Sequence, residues 1–163
     1  MLKKSMEKAL NKQMNDEFAS AYLYLSMAAY FETKNLKGFA AWMHAQAKEE
    51  SGHAMKFFHH MLDRGGKPIL AAIDEPPAAW KSPLDAFQNV LAHERLVTAG
   101  IHKLLELADK ESDHPAHAFL QWFVTEQVEE EATAEGIVQK VKMIGDMVPG
   151  IFMMDRELAQ RQG

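Results

Sequence analysis

The sequence predicts an all-α fold: a four-helix bundle with one long crossover between its second and third helices and a short fifth helix at the C-terminal end. Three observations carry this. Proline falls only at Pro68, Pro76, Pro77, Pro83, Pro115 and Pro149, so residues 1–67, 84–114 and 116–148 are free of the strongest helix breaker. Each of these stretches carries apolar residues at heptad-like spacing. The chain also matches itself at an offset of 77 residues, which sets Leu10 on Phe87, Met14 on Leu91, Met27 on Leu104, Trp42 on Phe119 and Met43 on Leu120. That is the pattern of two similar helix pairs.

The first proline-free stretch is too long for one globular helix. It is expected to break at Thr33-Lys34-Asn35-Leu36-Lys37-Gly38, with Asn35 capping the second helix. Gly65-Gly66 stops the second helix, and Ser82-Pro83 opens the third as an N-cap followed by proline at the first helical position. Asp113 with Pro115 opens the fourth in a similar way, Gly145 closes it, and 149–160 suits a short fifth helix. Four helices of about 28 residues each run about 40 Å. The connections are short, long, short, so helices one and two pair antiparallel, as do three and four. With 163 residues the chain is expected to be a single domain, 1–163.

Composition excludes several functions. A formal net charge of −5 and the absence of a Lys/Arg stripe argue against a nucleic-acid partner. No run of about 18 apolar residues exists to span a membrane. The start, Met1-Leu2-Lys3-Lys4-Ser5-Met6-Glu7, lacks the apolar segment of a signal peptide, so a cytoplasmic location is expected. Cysteine is absent, which removes disulfides, thiolate metal sites and cysteine nucleophiles together. Residues 18–31 are apolar on nearly every side of their helix (Phe18, Tyr22, Leu23, Tyr24, Leu25, Met27, Tyr30, Phe31). One bundle interior cannot cover that surface, so a homo-oligomer is expected.

The apolar stripes are interrupted by polar groups near their centres. Helix two reads Met43, Gln46, Glu50, His53, Phe57; helix three reads Phe87, Leu91, Glu94, Thr98, Ile101, Leu105. Helix four reads Leu120, Phe123, Gln127, Glu130, Ala134, Ile137, Val141, and in helix one Glu17 lies between Met14 and Ala21 or Tyr24. The same offset sets Glu17 on Glu94, Glu49 on Glu126, Glu50 on Gln127 and His53 on Glu130. Burying so many acids at one level is expensive unless a cation compensates them.

Glu50-x-x-His53 puts a carboxylate and an imidazole on one helix face. With 8 histidines among many acids, one such pair arises by chance, and Glu111-x-x-His114 reads as that decoy. The specific signal is four helices supplying Glu17, Glu50 with His53, Glu94 and Glu130 at one height, the di-metal carboxylate pattern of helix bundles. One nitrogen among carboxylates disfavours structural zinc and suits iron or manganese. Glu50 is the natural bridge, with Glu17 and His53 completing one iron and Glu94 and Glu130 the other. Gln127 stands where internal symmetry expects an acid, as a hydrogen-bonding neighbour. Such a pair can deliver two electrons to one dioxygen, and its asymmetric shell favours release of the ferric product.

These residues resemble the ferritin family, specifically the non-haem prokaryotic ferritins, over essentially the whole chain. The resemblance lies in Glu17, Tyr24, Glu50-Ser51-Gly52-His53, Glu94 and Glu126-Gln127-Val128-Glu129-Glu130-Glu131. It implies that Glu17, Glu50, His53, Glu94 and Glu130, with Gln127 beside them, form a ferroxidase centre oxidising Fe(II) to Fe(III) with O2 or H2O2. It implies a shell of twenty-four subunits storing ferric oxide, with the fifth helix near its four-fold axes. It further implies a third iron site at Glu49, Glu126 and Glu129, whose bland alternative is a solvated acidic face. Tyr24 is similar to the family's electron-donating tyrosine; a buried phenol bonded to a site carboxylate is the plainer reading. Gly52 stands where haem-binding relatives carry methionine, so no haem cofactor is expected.

Other residues are weaker. Trp122 reads as core packing or an oxidisable neighbour, and His59-His60 as surface. Asp109, Glu111, Asp113, His114 and His117 cluster where the resemblance puts three-fold iron entry. The eleven methionines, Met153-Met154 among them, read as packing. Two rivals remain: a di-iron oxidase or peroxidase of the same superfamily that does not store iron, and a scaffold that holds cations without catalysis.

Overall fold

In the computed structural model, which describes residues 1–161, the chain forms five helices: α1 (Lys4–Thr33), α2 (Lys37–Asp63), α3 (Pro83–Glu111), α4 (His114–Ile144) and α5 (Val148–Leu158). α1 packs on α2 and α3 on α4 through tight turns; α1 also meets α3, and α5 lies against α2. The expected four-helix bundle, long crossover and short fifth helix are all present. Among the described residues no helix is long and apolar enough to cross a membrane.

Helix ends obey local chemistry. Asn35, Gly65 and Ser112 take left-handed φ values of 57°, 71° and 53°. After each, the next amide folds back onto the helix: Leu36 N on Phe31 O at 3.1 Å, Gly66 N on Met61 O at 2.8 Å, Asp113 N on Ala108 O at 2.8 Å. The Ser82 hydroxyl accepts from Asp85 N at 3.1 Å, and Asp113 Oδ1 from Ala116 N at 3.1 Å, so both expected N-caps are made.

Asn35 is a correction. It ends α1 rather than capping α2, whose N-cap position is Leu36 and has no side-chain acceptor of its own. The acceptor comes from α5 instead: Asp155 Oδ1 takes Gly38 N at 2.7 Å and Phe39 N at 3.0 Å. A carboxylate there also suits the positive end of the helix. Only glycine permits the approach, since a Cβ on Gly38 would lie 1.6 Å from Asp155 O.

The crossover is held by a side-chain ladder on α1. Glu7 Oε1 accepts from Lys67 N at 2.6 Å, and Asn11 brackets Lys67 O at 3.0 Å and Ile69 N at 2.6 Å. Asn15 then brackets Ile69 O and Ala71 N, both at 2.8 Å. Four helical residues rise about 6 Å and two extended residues about 6.6 Å, so side chains at every fourth position match alternate backbone groups of the extended segment.

The interior divides into two apolar clusters. One gathers Phe31, Phe39, Met43, Phe87 and Val141; the other Met6, Leu10, Phe57, Ile101, Leu120 and Phe123. Between them lies a buried polar layer of Gln13, Glu17, Ser20, Gln46, Glu50, His53, Glu94, Gln127 and Glu130. In α3 the buried line runs through Val97 and Leu104, while Thr98 and Leu105 of the expected stripe are half-buried beside it. The second apolar face of α1 survives folding: Tyr22 is 49 % and Leu25 46 % exposed.

Candidate metal centre

Each helix of the bundle sends an acid into the polar layer, because each carries that acid on its buried stripe. Glu17, Glu50 and Glu94 are 1–2 % exposed, His53 4 % and Glu130 7 %. Two groups of ligand atoms converge within 4.8 Å of one another: Glu17, Glu50 and His53, and then His53, Glu126 and Glu130. His53 belongs to both. Its Nδ1 lies 3.3 Å from Glu50 Oε2 and its Nε2 lies 4.0 Å from Glu126 Oε1.

Hydrogen bonds hold the acids in place. Gln13 Nε2 donates to Glu17 Oε1 at 2.8 Å. Gly100 makes room for that amide, since a Cβ there would sit 2.7 Å from Gln13 Oε1. Gln46 Nε2 donates to Glu50 Oε1 at 3.0 Å and to Glu130 Oε2 at 2.9 Å, tying α2 to α4. The Tyr24 hydroxyl donates to Glu94 Oε1, and Gln127 Nε2 donates to Glu94 Oε2 at 3.2 Å. Tyr24 is fully buried and meets His93 edge to face at 6.0 Å. Glu17 Oε2, by contrast, is buried with no hydrogen-bond partner among the described residues.

The electrostatics are strained in the direction a cation relieves. Burial pushes the Glu17 carboxyl well above its ordinary value, and the neighbouring Glu50 charge pushes it further. Glu50 is raised to about 8 by burial and then by Glu94. Glu130 is raised to about 7 by burial and then by Glu94. The Tyr24 phenol is pushed well up by burial and the adjacent Glu94. A divalent ion among these groups restores the ionised carboxylates, which is how an acid cluster becomes a ligand set. The bare oxygen of Glu17 fits such an ion.

The remaining sequence candidates occupy varied settings. Glu94 lies with Tyr24 and Gln127 and stands outside both converging groups, although its charge reaches Glu50 and Glu130. Glu126 faces His53, Glu49 pairs with Arg161, and Glu129 stands exposed. Trp122 is a correction: it is 40 % exposed rather than core, with its ring 5.4 Å from His53 and Lys56 Nζ 4.3 Å over it. His59 is exposed, whereas His60 stacks on Phe119 at 4.0 Å and is half-buried, which corrects its reading as a surface residue. Near the α3–α4 turn, Asp113 is taken by Arg64 at 2.8 Å, Glu111 by Ser5, and Asp109 by His117 at 2.6 Å. Burial raises Asp113, but the Arg64 hydrogen bond and charge, the Ala116 amide and His60 together hold the carboxyl below its usual range.

Residues 7–144 match the ferritin-like domain family. The chain is 44 % identical to a bacterial non-heme ferritin of Bacteroides fragilis over 161 residues, covering 99 % of this chain and 100 % of that one. The chain belongs to the ferritin family. A bacterial non-heme ferritin of Staphylococcus epidermidis is 41 % identical, with 99 % of this chain and 97 % of that one covered. Among solved structures, an open-pore ferritin from the hyperthermophilic archaeon Archaeoglobus fulgidus superposes with a TM-score of 0.99 at 50 % identity, covering 99 % of this chain and 100 % of that one. An engineered closed form of the Archaeoglobus fulgidus ferritin gives a TM-score of 0.98 at 50 % identity, covering 99 % of each chain. The role of this ferritin is accordingly that of an iron-storage subunit.

Sequence reasoning about this ferritin missed Gln13, His93 and Arg161. Gln13 carried a signal, since it lies one turn before Glu17 on the same face. Arg161 carried none: its partner Gln46 is 115 positions away.

Proposed function

We propose that this ferritin is a ferroxidase whose buried carboxylate layer takes two ferrous ions as substrate, oxidises them with dioxygen or hydrogen peroxide, and passes ferric iron to an interior mineral. The carrying observation is the convergence of Glu17, Glu50 and His53 within 4.8 Å in a buried layer where Glu17 Oε2 has no partner. Glu50 is the bridging ligand, Glu17 and His53 serve one ion, and Glu94 and Glu130 the other, with Gln127 beside them. Carboxylate ligands carry negative charge, so they stabilise ferric over ferrous iron and favour the loss of an electron from the metal. Each ferrous ion loses one electron, and dioxygen with two protons takes both to leave hydrogen peroxide; peroxide with two further electrons and protons leaves water.

The exposed Tyr22 and Leu25 support assembly, and a shell of twenty-four copies is the oligomer this reading adopts. The reading also takes 1–163 as one domain working in the cytoplasm. Glu49, Glu126 and Glu129 are read as a third iron position on the cavity side.

Stopped-flow oxidation of ferrous salt, paired with imaging of the particles, tests this. Oxidation well above the buffer rate, with dense cores inside hollow shells, is expected. Ferrous binding without accelerated oxidation would falsify the ferroxidase role and leave a passive scaffold.

A further inference from the structure

The C-terminal segment after α5 returns to the polar layer. Arg161 donates from one terminal nitrogen to Gln46 Oε1 at 2.7 Å and from the other to Glu49 Oε2, and its guanidinium carbon lies 4.5 Å over the Trp42 ring. Gln46 is fully buried, and its amide nitrogen is committed to Glu50 and Glu130. A guanidinium can only donate, so it fixes the Gln46 oxygen outward and the NH2 group inward. Arg161 therefore touches Glu49 directly and the two carboxylates Glu50 and Glu130 through one amide.

We propose that Arg161 is a tethered counter-cation, seated on Glu49 and Gln46, that a metal ion must displace before binding on the Glu49 side of the carboxylate layer. The inference rests on the reading of that layer as a cation site. Two features make the guanidinium a competitor rather than a fixed strut. The Arg161 side chain is 21 % and the Glu49 side chain 42 % exposed, and an ion pair wetted to that degree is held weakly. The tether is short, because α5 ends at Leu158 and is bound to the start of α2 through Asp155. Arg161 thus stays near Glu49 at high effective concentration even after it is displaced. Ions held by Glu17, Glu50, His53, Glu94 and Glu130 need not touch Glu49 or Arg161, whereas an ion arriving at Glu49 must break the contact.

The test is anaerobic calorimetric titration with Co2+, a redox-silent probe under those conditions, on the assembled protein. Four proteins are compared: the unaltered chain, R161K, R161Q and R161Q/E49Q. R161Q is expected to tighten the weakest cobalt position about tenfold, R161K to lie between, and R161Q/E49Q to lose that position. Identical titrations for the unaltered chain and R161Q overturn the proposal while leaving the layer as a cation site. No cobalt binding by any of the four overturns both. Thermal melting of each variant verifies that the fold is retained, and R161K reads the proposal with the positive charge kept.

Discussion

The two halves of this bundle, α1 with α2 and α3 with α4, carry their acids at matching positions but do not support them equally. At the 77-residue offset that sets Glu17 on Glu94, Gln13 falls on Val90, Tyr24 on Ile101 and Gln46 on Phe123. Gln13, Tyr24 and Gln46 thus donate from the first half and have apolar counterparts, while the second half supplies Gln127. The consequence differs by acid. Glu94 has both oxygens taken, by Tyr24 and Gln127, whereas Glu17 keeps one oxygen bare. A near-symmetric scaffold puts four acids at one level; the asymmetry of the donors decides which of them face an ion unencumbered.

The strongest way to break this comparison is at the offset partners Glu50 and Gln127. Replacing Glu50 by Ala removes the acid proposed as the bridge. A ligand carboxylate supplies several kcal/mol of charge stabilisation, so initial ferrous oxidation should fall by more than about 100-fold with the shell intact. Gln127→Ala removes a neighbour that only orients Glu94, and a drop of about tenfold is expected. Equal rates for the two variants would mean that the halves are interchangeable and that Glu50 does not bridge.

Next in size is the pH dependence of the metal-free protein. Glu50 is raised to about 8 and Glu130 to about 7, with Glu17 also raised, against ordinary values near 4.5. Above pH ~4.5 the unfolded chain sheds these protons while the folded chain keeps them, so the folded state binds more protons and stability falls as pH rises. The loss ends once the folded carboxylates have ionised. The melting temperature should therefore drop by several degrees between about pH 5 and pH 8, and a divalent cation should flatten the slope. A metal-free melting temperature that rises across that window would show that the acids are not confined as described.

Tyr24 offers a smaller test. Tyr24→Phe leaves the buried Glu94 Oε1 without its donor, costing about 1–3 kcal/mol. Calorimetric melting measures it. Trimming its offset counterpart by Ile101→Val should cost about 0.5–1.5 kcal/mol through packing alone. A loss for Tyr24→Phe no larger than that would place Glu94 in a solvated setting.

Much of this arrangement was legible in the chain. Proline positions and Ser82, Asp113 and Gly65 mark helix ends through chemistry that acts within a few residues, so the bundle and its crossover could be read directly. Glu17, Glu50, His53, Glu94 and Glu130 stood out because an acid on an apolar stripe contradicts its neighbours. What escaped depends on contacts between distant segments. Asn35 is a natural cap by type, yet the acceptor for α2 is Asp155, which only the docking of α5 brings near. The Asn11 and Asn15 ladder looks like ordinary helix surface until the crossover lies along it. Trp122 has a core residue's composition but a rim residue's position, because periodicity assigns a face and not how far a neighbour covers it.

The finest test concerns the edge of the layer. Glu126 and Glu129 lie on the same helix one turn apart, yet Glu126 faces His53 at 4.0 Å while Glu129 is exposed. If both serve a third iron, each substitution by Ala should alter the iron oxidised per dioxygen consumed while leaving the first two ions bound. The geometry separates them. Glu126→Ala also removes a neighbour of His53, so it should slow the initial phase a few-fold, whereas Glu129→Ala should leave that phase unchanged and shift only stoichiometry or turnover. Parallel oxygen-electrode and stopped-flow measurements distinguish the two effects. Equal loss of fast oxidation in both variants would merge the third position with the di-iron pair, and no change in either would leave Glu129 as a solvated acid.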